Sequence, residues 1–248
     1  MNAVILAAGV GRRLHTFTQH HPKCLIPIGE KTLLVRYLDA LESLGLSLVT
    51  IVVGYKHELI REAVAAWSGS VPVKFLVNED FERGSIGSLW VARSALDEDT
   101  IIMDADVLFH PTILERLVKS SHPNALLMDE TVVQDPEIRE ECMVVVRQGH
   151  VIALSKKMPD IYDEAGEGVG FLKLDRHDAP SLLKSVEQRI SQGLLDMEYE
   201  DALRDFFQTI PVGVEKIGGL PWIEIDFPED VLRAQNDVLM KLPEHGRD

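Results

Sequence analysis

Apolar residues fall in short runs separated by stretches of helical spacing. Residues 2–8 form an apolar run rich in strand formers, ended by Gly9 and Gly11, which predicts a buried strand running into a loop. From Lys31 to Leu44, Leu33, Leu34, Tyr37, Leu38, Leu41 and Leu44 recur at helical spacing, and Gly45 marks the stop. The alternation continues with strands at Leu48–Val53, Val71–Val77 and Thr100–Met103 and helices at His57–Trp67 and Ile86–Leu96. The later part is less regular. Cys142–Val146 and His150–Leu154 flank Arg147-Gln148-Gly149 as a hairpin, and Val169–Leu174 is a further strand. Helices are expected at Pro180–Gln192 and Glu200–Phe207, a strand at Trp222–Ile225, and a closing helix over Pro228–Leu239 with proline in its first turn.

Strands alternating with helices at this spacing predict an α/β fold, with a Rossmann-like, mostly parallel central sheet covered on both faces and an elaborated C-terminal half. In such sheets ligands bind beyond the carboxyl ends of the strands. The loop after the first strand and Asp104-Ala105-Asp106 after the fourth both lie there. With no internal repeat and no long linker, residues 1–248 read as one domain. Residues 1–110 form its nucleotide-binding half and residues 111–248 its acceptor-binding half.

Charge narrows the partners. The chain has 40 acidic and 25 basic residues, a formal charge of -15, which argues against nucleic acid but not against one nucleotide met by a local cluster of cations. Two cysteines, Cys24 and Cys142, cannot make a disulfide framework, and a reducing cytoplasm fits. Neither a signal peptide nor a membrane span is legible, so no membrane insertion is expected. A homodimer is left open.

Gly9-Val10-Gly11-Arg12-Arg13-Leu14 lacks the third glycine of a dinucleotide-binding turn, where Leu14 stands, and the Lys-Ser/Thr ending of an ATPase phosphate loop. What remains is a glycine turn that lets backbone N–H groups approach an anion, followed by Arg12, Arg13 and, further on, Pro22-Lys23. Leu6-Ala7-Ala8-Gly9-x-Gly11-x-Arg13-Leu14 with Pro22-Lys23 resembles the signature of the sugar-phosphate nucleotidyltransferase superfamily. The resemblance implies that Leu6, Ala7, Ala8, Gly9, Gly11 and Arg12 surround a nucleoside triphosphate and that Arg13 and Lys23 contact its phosphates.

On an extended backbone Asp104 and Asp106 would share a face, and near a triphosphate such carboxylates hold Mg²⁺. A turn stabilised by Asp side chains is the plainer alternative. In the segment Trp222-Ile223-Glu224-Ile225-Asp226-Phe227-Pro228, Asp226 could simply support a helix N-terminus. The family resemblance assigns Asp106 and Asp226 to the metal and leaves Asp104 a supporting place beside the nucleotide. Gly54, ending the second strand, and Ser85 complete the expected nucleotide contacts, with Ser85 and Ser88 also candidate helix caps.

Gly84-Ser85-Ile86-Gly87-Ser88 and Lys156-Lys157-Met158-Pro159 depart from the sugar-activating pattern. They are more similar to the branch that activates phosphocholine, 2-aminoethylphosphonate or inositol phosphate with CTP. The implied reaction is Mg²⁺-dependent transfer of CMP from CTP to a small phosphorylated acceptor. Lys156 or Lys157, just after a strand, could meet the acceptor phosphate or stand as a solvated pair. Tyr199, Glu200, Trp222 and Glu224 combine aromatic faces with carboxylates and suit an ammonium head group, although Trp222 could belong to the core. Uridylyl, guanylyl or thymidylyl transfer to a sugar 1-phosphate is a rival reading, and a non-catalytic nucleotide-sensing module is another. His15, His20 and His21 read as solvated loop residues.

Overall fold

The structure is a computed structural model that describes residues 1–131, 142–156 and 158–243. Its first half follows the predicted alternation: β1 (Asn2–Ala7), a 3-10 turn at Arg12–Leu14, α1 (His15–Thr18), a small hairpin of β2 (Pro27–Ile28) and β3 (Lys31–Thr32), α2 (Leu33–Ser43), β4 (Val49–Val53), α3 (His57–Ala66), β5 (Val73–Val77), α4 (Ile86–Val91) and β6 (Thr100–Asp104). β1 lies parallel between β4 and β6, with Leu6 opposite Asp104. That register sets the glycine loop beside the Asp104–Asp106 turn, at the carboxyl ends of two neighbouring interior strands.

α2 begins two residues later than its apolar spacing predicts, because Lys31 and Thr32 pair with β2. The Thr32 hydroxyl accepts from the Val35 N–H at 3.3 Å and caps the helix. The expected Ile86–Leu96 helix tightens into a 3-10 turn at Ala92–Ala95.

The second half comprises β7 (Val107–Phe109), α5 (Pro111–Lys119), β8 (Ala125–Asp129), β9 (Met143–Arg147), β10 (His150–Ser155), β11 (Glu164–Leu174), α6 (Ala179–Ser191), α7 (Tyr199–Thr209), β12 (Gly213–Lys216), β13 (Trp222–Glu224) and α8 (Pro228–Arg233). The expected hairpin is β9–β10, with Gln148 and Gly149 both at positive φ in its turn. β11 is longer than its apolar core suggests. It runs antiparallel to β6, β8 and β9, so the nine-stranded sheet is parallel through β6-β1-β4-β5 and mixed beyond. The closing helix keeps α form only to Arg233; a π turn at Ala234–Val238 and a 3-10 turn at Leu239–Lys241 follow.

Both sheet faces are buried, which accounts for the continuous apolar run of β1. Ala3, Ile5 and Ala7 pack on one side with Leu34 and Leu38 of α2, while Val4 packs on the other with Ile86 and Leu89 of α4 and Phe206 of α7. Among the described residues no helix is long and apolar enough to cross a membrane.

Candidate active site

β1 delivers the chain to a loop whose shape is fixed by one glycine and one threonine. Gly11 has φ +65°, a conformation costly for a residue with a Cβ. The Thr18 hydroxyl lies 2.8 Å from the Gly11 carbonyl and 3.1 Å from that of Leu14, tying the loop to α1. Leu6, Ala7, Ala8, Gly9, Gly11, Arg12, Arg13 and Lys23 all line one cleft of about 1600 Å³. Small-molecule sites commonly measure roughly 300–1,000 Å³, so this one has room for a nucleotide and a second reactant. Gly54 is not on its wall. A Cβ there would stand 2.4 Å from the Phe81 Cβ and 2.8 Å from the Ala8 carbonyl oxygen. This glycine is needed for packing, and it lets Phe81 reach the cleft.

β13 supplies the opposite wall. It pairs antiparallel with β7, Glu224 opposite Val107, and the Ile225 N–H donates to the Asp106 carbonyl at 3.0 Å. This pairing brings Asp226 to Asp106 across a long sequence separation. Carboxylate oxygens of Asp106, Glu224 and Asp226 lie within 4.8 Å of one another. The Lys23 ammonium donates to Asp106 Oδ2 at 2.8 Å and Asp226 Oδ1 at 2.6 Å, and Arg13 donates to Asp226 Oδ2 at 2.8 Å. Burial alone would lower the Lys23 pKa, but Asp106 and Asp226 outweigh it and raise it. The cations expected on phosphate therefore lie on the carboxylates expected to hold metal. Asp106 Oδ1 is buried without a hydrogen-bond partner. Three clustered carboxylates with an unsatisfied buried oxygen form a hard-donor set suited to Mg²⁺. Glu224, expected at the acceptor, belongs to this set by position.

Asp104 and Asp106 do not act as a pair on one strand face, because β6 ends at Asp104 and Asp106 lies in the bend beyond. The Asp104 carboxylate accepts from the Tyr199 hydroxyl at 2.9 Å, and the Asp104 carbonyl accepts from the Tyr37 hydroxyl at 2.8 Å. Tyr37 Oη in turn accepts from the Val107 N–H at 3.0 Å. Tyr37, legible in sequence only as a core residue of α2, thus shapes the turn that carries Asp106. Burial, then Glu200, Asp106 and Glu224, holds the Asp104 carboxyl well above the usual carboxylate range.

The other end of the cleft is set by α7. Ser85 does not cap α4; its Oγ accepts from the Tyr199 N–H at 2.8 Å, and its own N–H donates to Glu198 Oε2 at 3.1 Å. Ser88 is likewise no cap and accepts from Asn78 Nδ2 at 3.0 Å. Tyr199 is buried, Trp222 is half-buried in the cleft wall, and the indole N–H donates to Asp129 Oδ2 at 2.8 Å. Sequence reasoning missed Asp129 because β8 was not assigned. Lys156 is exposed at the cleft, whereas Lys157 lies outside the described residues. His20 and His21 are exposed, as expected.

Burial, reinforced by Glu198 and Asp201, lifts Glu200 to about 7. Glu224 is open to solvent along the cleft yet lies deep among protein atoms; loss of hydration, then Asp106 and Asp226, lifts it to about 8. A raised carboxyl pKa means that the folded chain holds protons the unfolded chain releases. Stability should therefore fall as pH rises from the ordinary value of 4.5 through 7 to 8. Thermal melts across that window check the sign, and the Glu200→Gln variant should show a shallower slope than the parent.

A glycine turn at the end of β1, cations behind it and a carboxylate set on the facing turn meet in this one cleft. The chain belongs to the family of MobA-like NTP transferase domains, which it matches over residues 3–169. It is 29% identical over 248 residues to CMP-5'-(3-aminopropyl)phosphonate synthase of Streptomyces rubellomurinus, covering 94% of this chain and 38% of that protein. It is 23% identical to CTP:phosphoglutamine cytidylyltransferase of Campylobacter jejuni, covering 93% and 98% of the two. Among solved structures, CTP:phosphocholine cytidylyltransferase from Streptococcus pneumoniae shares the fold with a TM-score of 0.74 at 21% identity, covering 94% of this chain and 97% of that one. The chain spans only about half the length of several longer bifunctional relatives that it also matches.

Proposed function

We propose that this chain transfers CMP from CTP to a small phosphorylated acceptor such as 2-aminoethylphosphonate or phosphocholine, with Mg²⁺. The observation that carries the reading is the meeting of the Arg13 and Lys23 cations with Asp106 and Asp226 beneath the glycine loop, at one end of a cleft with an acidic far end. The names of the relatives favour CTP as donor.

An acceptor phosphate or phosphonate oxygen attacks the α-phosphorus of CTP. As that O–P bond forms, the bond from the α-phosphorus to the bridging oxygen breaks, and pyrophosphate leaves with the electron pair. A phosphomonoester has its second pKa at about 6, so the nucleophile is an anion at neutral pH and needs no side-chain base. What the chain must provide is alignment and relief of charge repulsion. Backbone N–H groups of the glycine loop, with Arg13 and Lys23, face the triphosphate; Lys156 faces the acceptor phosphate. Asp106 and Asp226, with Glu224 beside them, would hold Mg²⁺, whose charge offsets that of the reacting phosphates.

The test crosses CTP, UTP, GTP and dTTP with phosphocholine, phosphoethanolamine, 2-aminoethylphosphonate, inositol phosphate and glucose 1-phosphate, and measures pyrophosphate. The highest rates are expected with CTP and a cationic acceptor. Preference for glucose 1-phosphate with another nucleotide would replace this reading by sugar activation. No pyrophosphate with any pair would make the chain a nucleotide-sensing module.

A further inference from the structure

The acidic end of the cleft contains one group that the transfer of CMP leaves unexplained. Most of its carboxylates are paired: Asp104 with the Tyr199 hydroxyl, Asp129 with the Trp222 indole, Asp201 with Arg204 and Glu198 with the Ser85 N–H. Glu200 differs. It projects from the first turn of α7, is half-buried on the cleft wall, and its Oε2 is buried with no hydrogen-bond partner among the described residues. An unsatisfied buried carboxylate oxygen is costly, and its lifted pKa is the same strain expressed as proton affinity. A ligand that donates a hydrogen bond at this point relieves it.

The chemistry of the donor can be narrowed. A quaternary ammonium has no N–H and is held by aromatic faces. Four aromatic residues line the cleft among those described: Phe81, Tyr199, Trp222 and Phe227. Phe227 already carries the Arg13 guanidinium 5.4 Å from its ring centroid, and Tyr199 is buried. Among the described residues that leaves the faces of Phe81 and Trp222, two rings at most for a quaternary ammonium. A primary ammonium has three N–H donors and a full charge, which together satisfy an orphaned acceptor in an acidic surrounding.

We propose that the acceptor carries a primary ammonium, as an aminoalkyl phosphate or phosphonate does, and that Glu200 reads it by accepting an N–H hydrogen bond at Oε2. This rests on the nucleotidyl transfer proposed above and makes Glu200 its specificity-determining residue.

Phosphoethanolamine and phosphocholine differ only in the three N-methyl groups, so kcat/KM for each, measured on the full chain with CTP and Mg²⁺, isolates the hydrogen bond. Hydrogen bonds to charged groups support a preference of about 10- to 100-fold for phosphoethanolamine. Glu200→Gln should remove most of that preference through KM for the acceptor, leaving KM for CTP near its parent value. Glu200→Asp, which keeps the charge but withdraws the oxygen, should fall between. The parent comparison needs no variant, so a misfolded substitution does not spoil the test. Preference for phosphocholine, or an unchanged preference in Glu200→Gln, overturns the assignment while nucleotidyl transfer stands. Absence of pyrophosphate with every acceptor overturns the transfer, and this inference with it.

Discussion

Asp106→Asn is expected to lower kcat by about 10³-fold, the scale on which loss of a preorganised charge-stabilising group acts, while the fold survives or gains stability. The two effects have one cause. Asp106 shares its surroundings with Asp104, Glu200 and Glu224, and its charge contributes to raising all three. Removing it relieves repulsion that the folded chain otherwise bears, and Lys23 keeps Asp226 as a partner. A site that costs stability and is needed for turnover is the usual pattern where function opposes packing. Stopped assays give the rate and a melting curve gives the stability. Near-normal turnover would remove Asp106 from the metal set.

Lys23→Met should lower kcat/KM for CTP by about 10²- to 10³-fold, with an unusual accompaniment. The Lys23 ammonium occupies oxygens of both Asp106 and Asp226, so it competes with any divalent cation for the same donors. Without it, Mn²⁺ titrated into the protein in the absence of nucleotide should bind about tenfold more tightly, since a like charge next to the site has gone. The variant should also melt lower than the parent without metal, because two crowded carboxylates lose their counter-ion, and Mn²⁺ should restore the loss. Paramagnetic titration of free Mn²⁺ measures this without any turnover. Weaker Mn²⁺ binding would mean that Lys23 helps to build the metal site rather than contesting it.

The fold of the first half was readable from sequence because its signals are local. β1, β4, β5 and β6 are apolar runs of strand length, and the glycine loop and the Asp104–Asp106 turn sit at their ends. Parallel pairing then leaves little freedom in how they meet. The second half was less readable for physical reasons. β7 and β8 are short and buried throughout, so no periodicity marks them, and β12 has a single apolar side chain, Val214. α5 is different, because Ile113, Leu114 and Leu117 carry helical spacing that sequence reasoning passed over. The roles of Asp104 and Glu224 also depended on non-local pairing. Asp104 turns to Tyr199 because Gly170 opens space, since a Cβ there would stand 2.5 Å from Asp104 Oδ2. Glu224 joins Asp106 because β13 pairs with β7. Family resemblance supplied Asp106 and Asp226 from motif positions alone, and the strand pairing brings those two side by side. The orphaned oxygen of Glu200 had no signal in sequence, where Glu200 is one acidic residue at a helix start.

Phosphorus NMR on the parent protein with CTP, Mg²⁺ and phosphoethanolamine tests the central claim most directly. The account predicts that the CTP α-phosphorus signal is replaced by that of a diphosphate joining cytidine to the acceptor, with one equivalent of pyrophosphate and no reaction in Asp106→Asn. Hydrolysis of CTP to CMP without transfer, or equal transfer by Asp106→Asn, would contradict it.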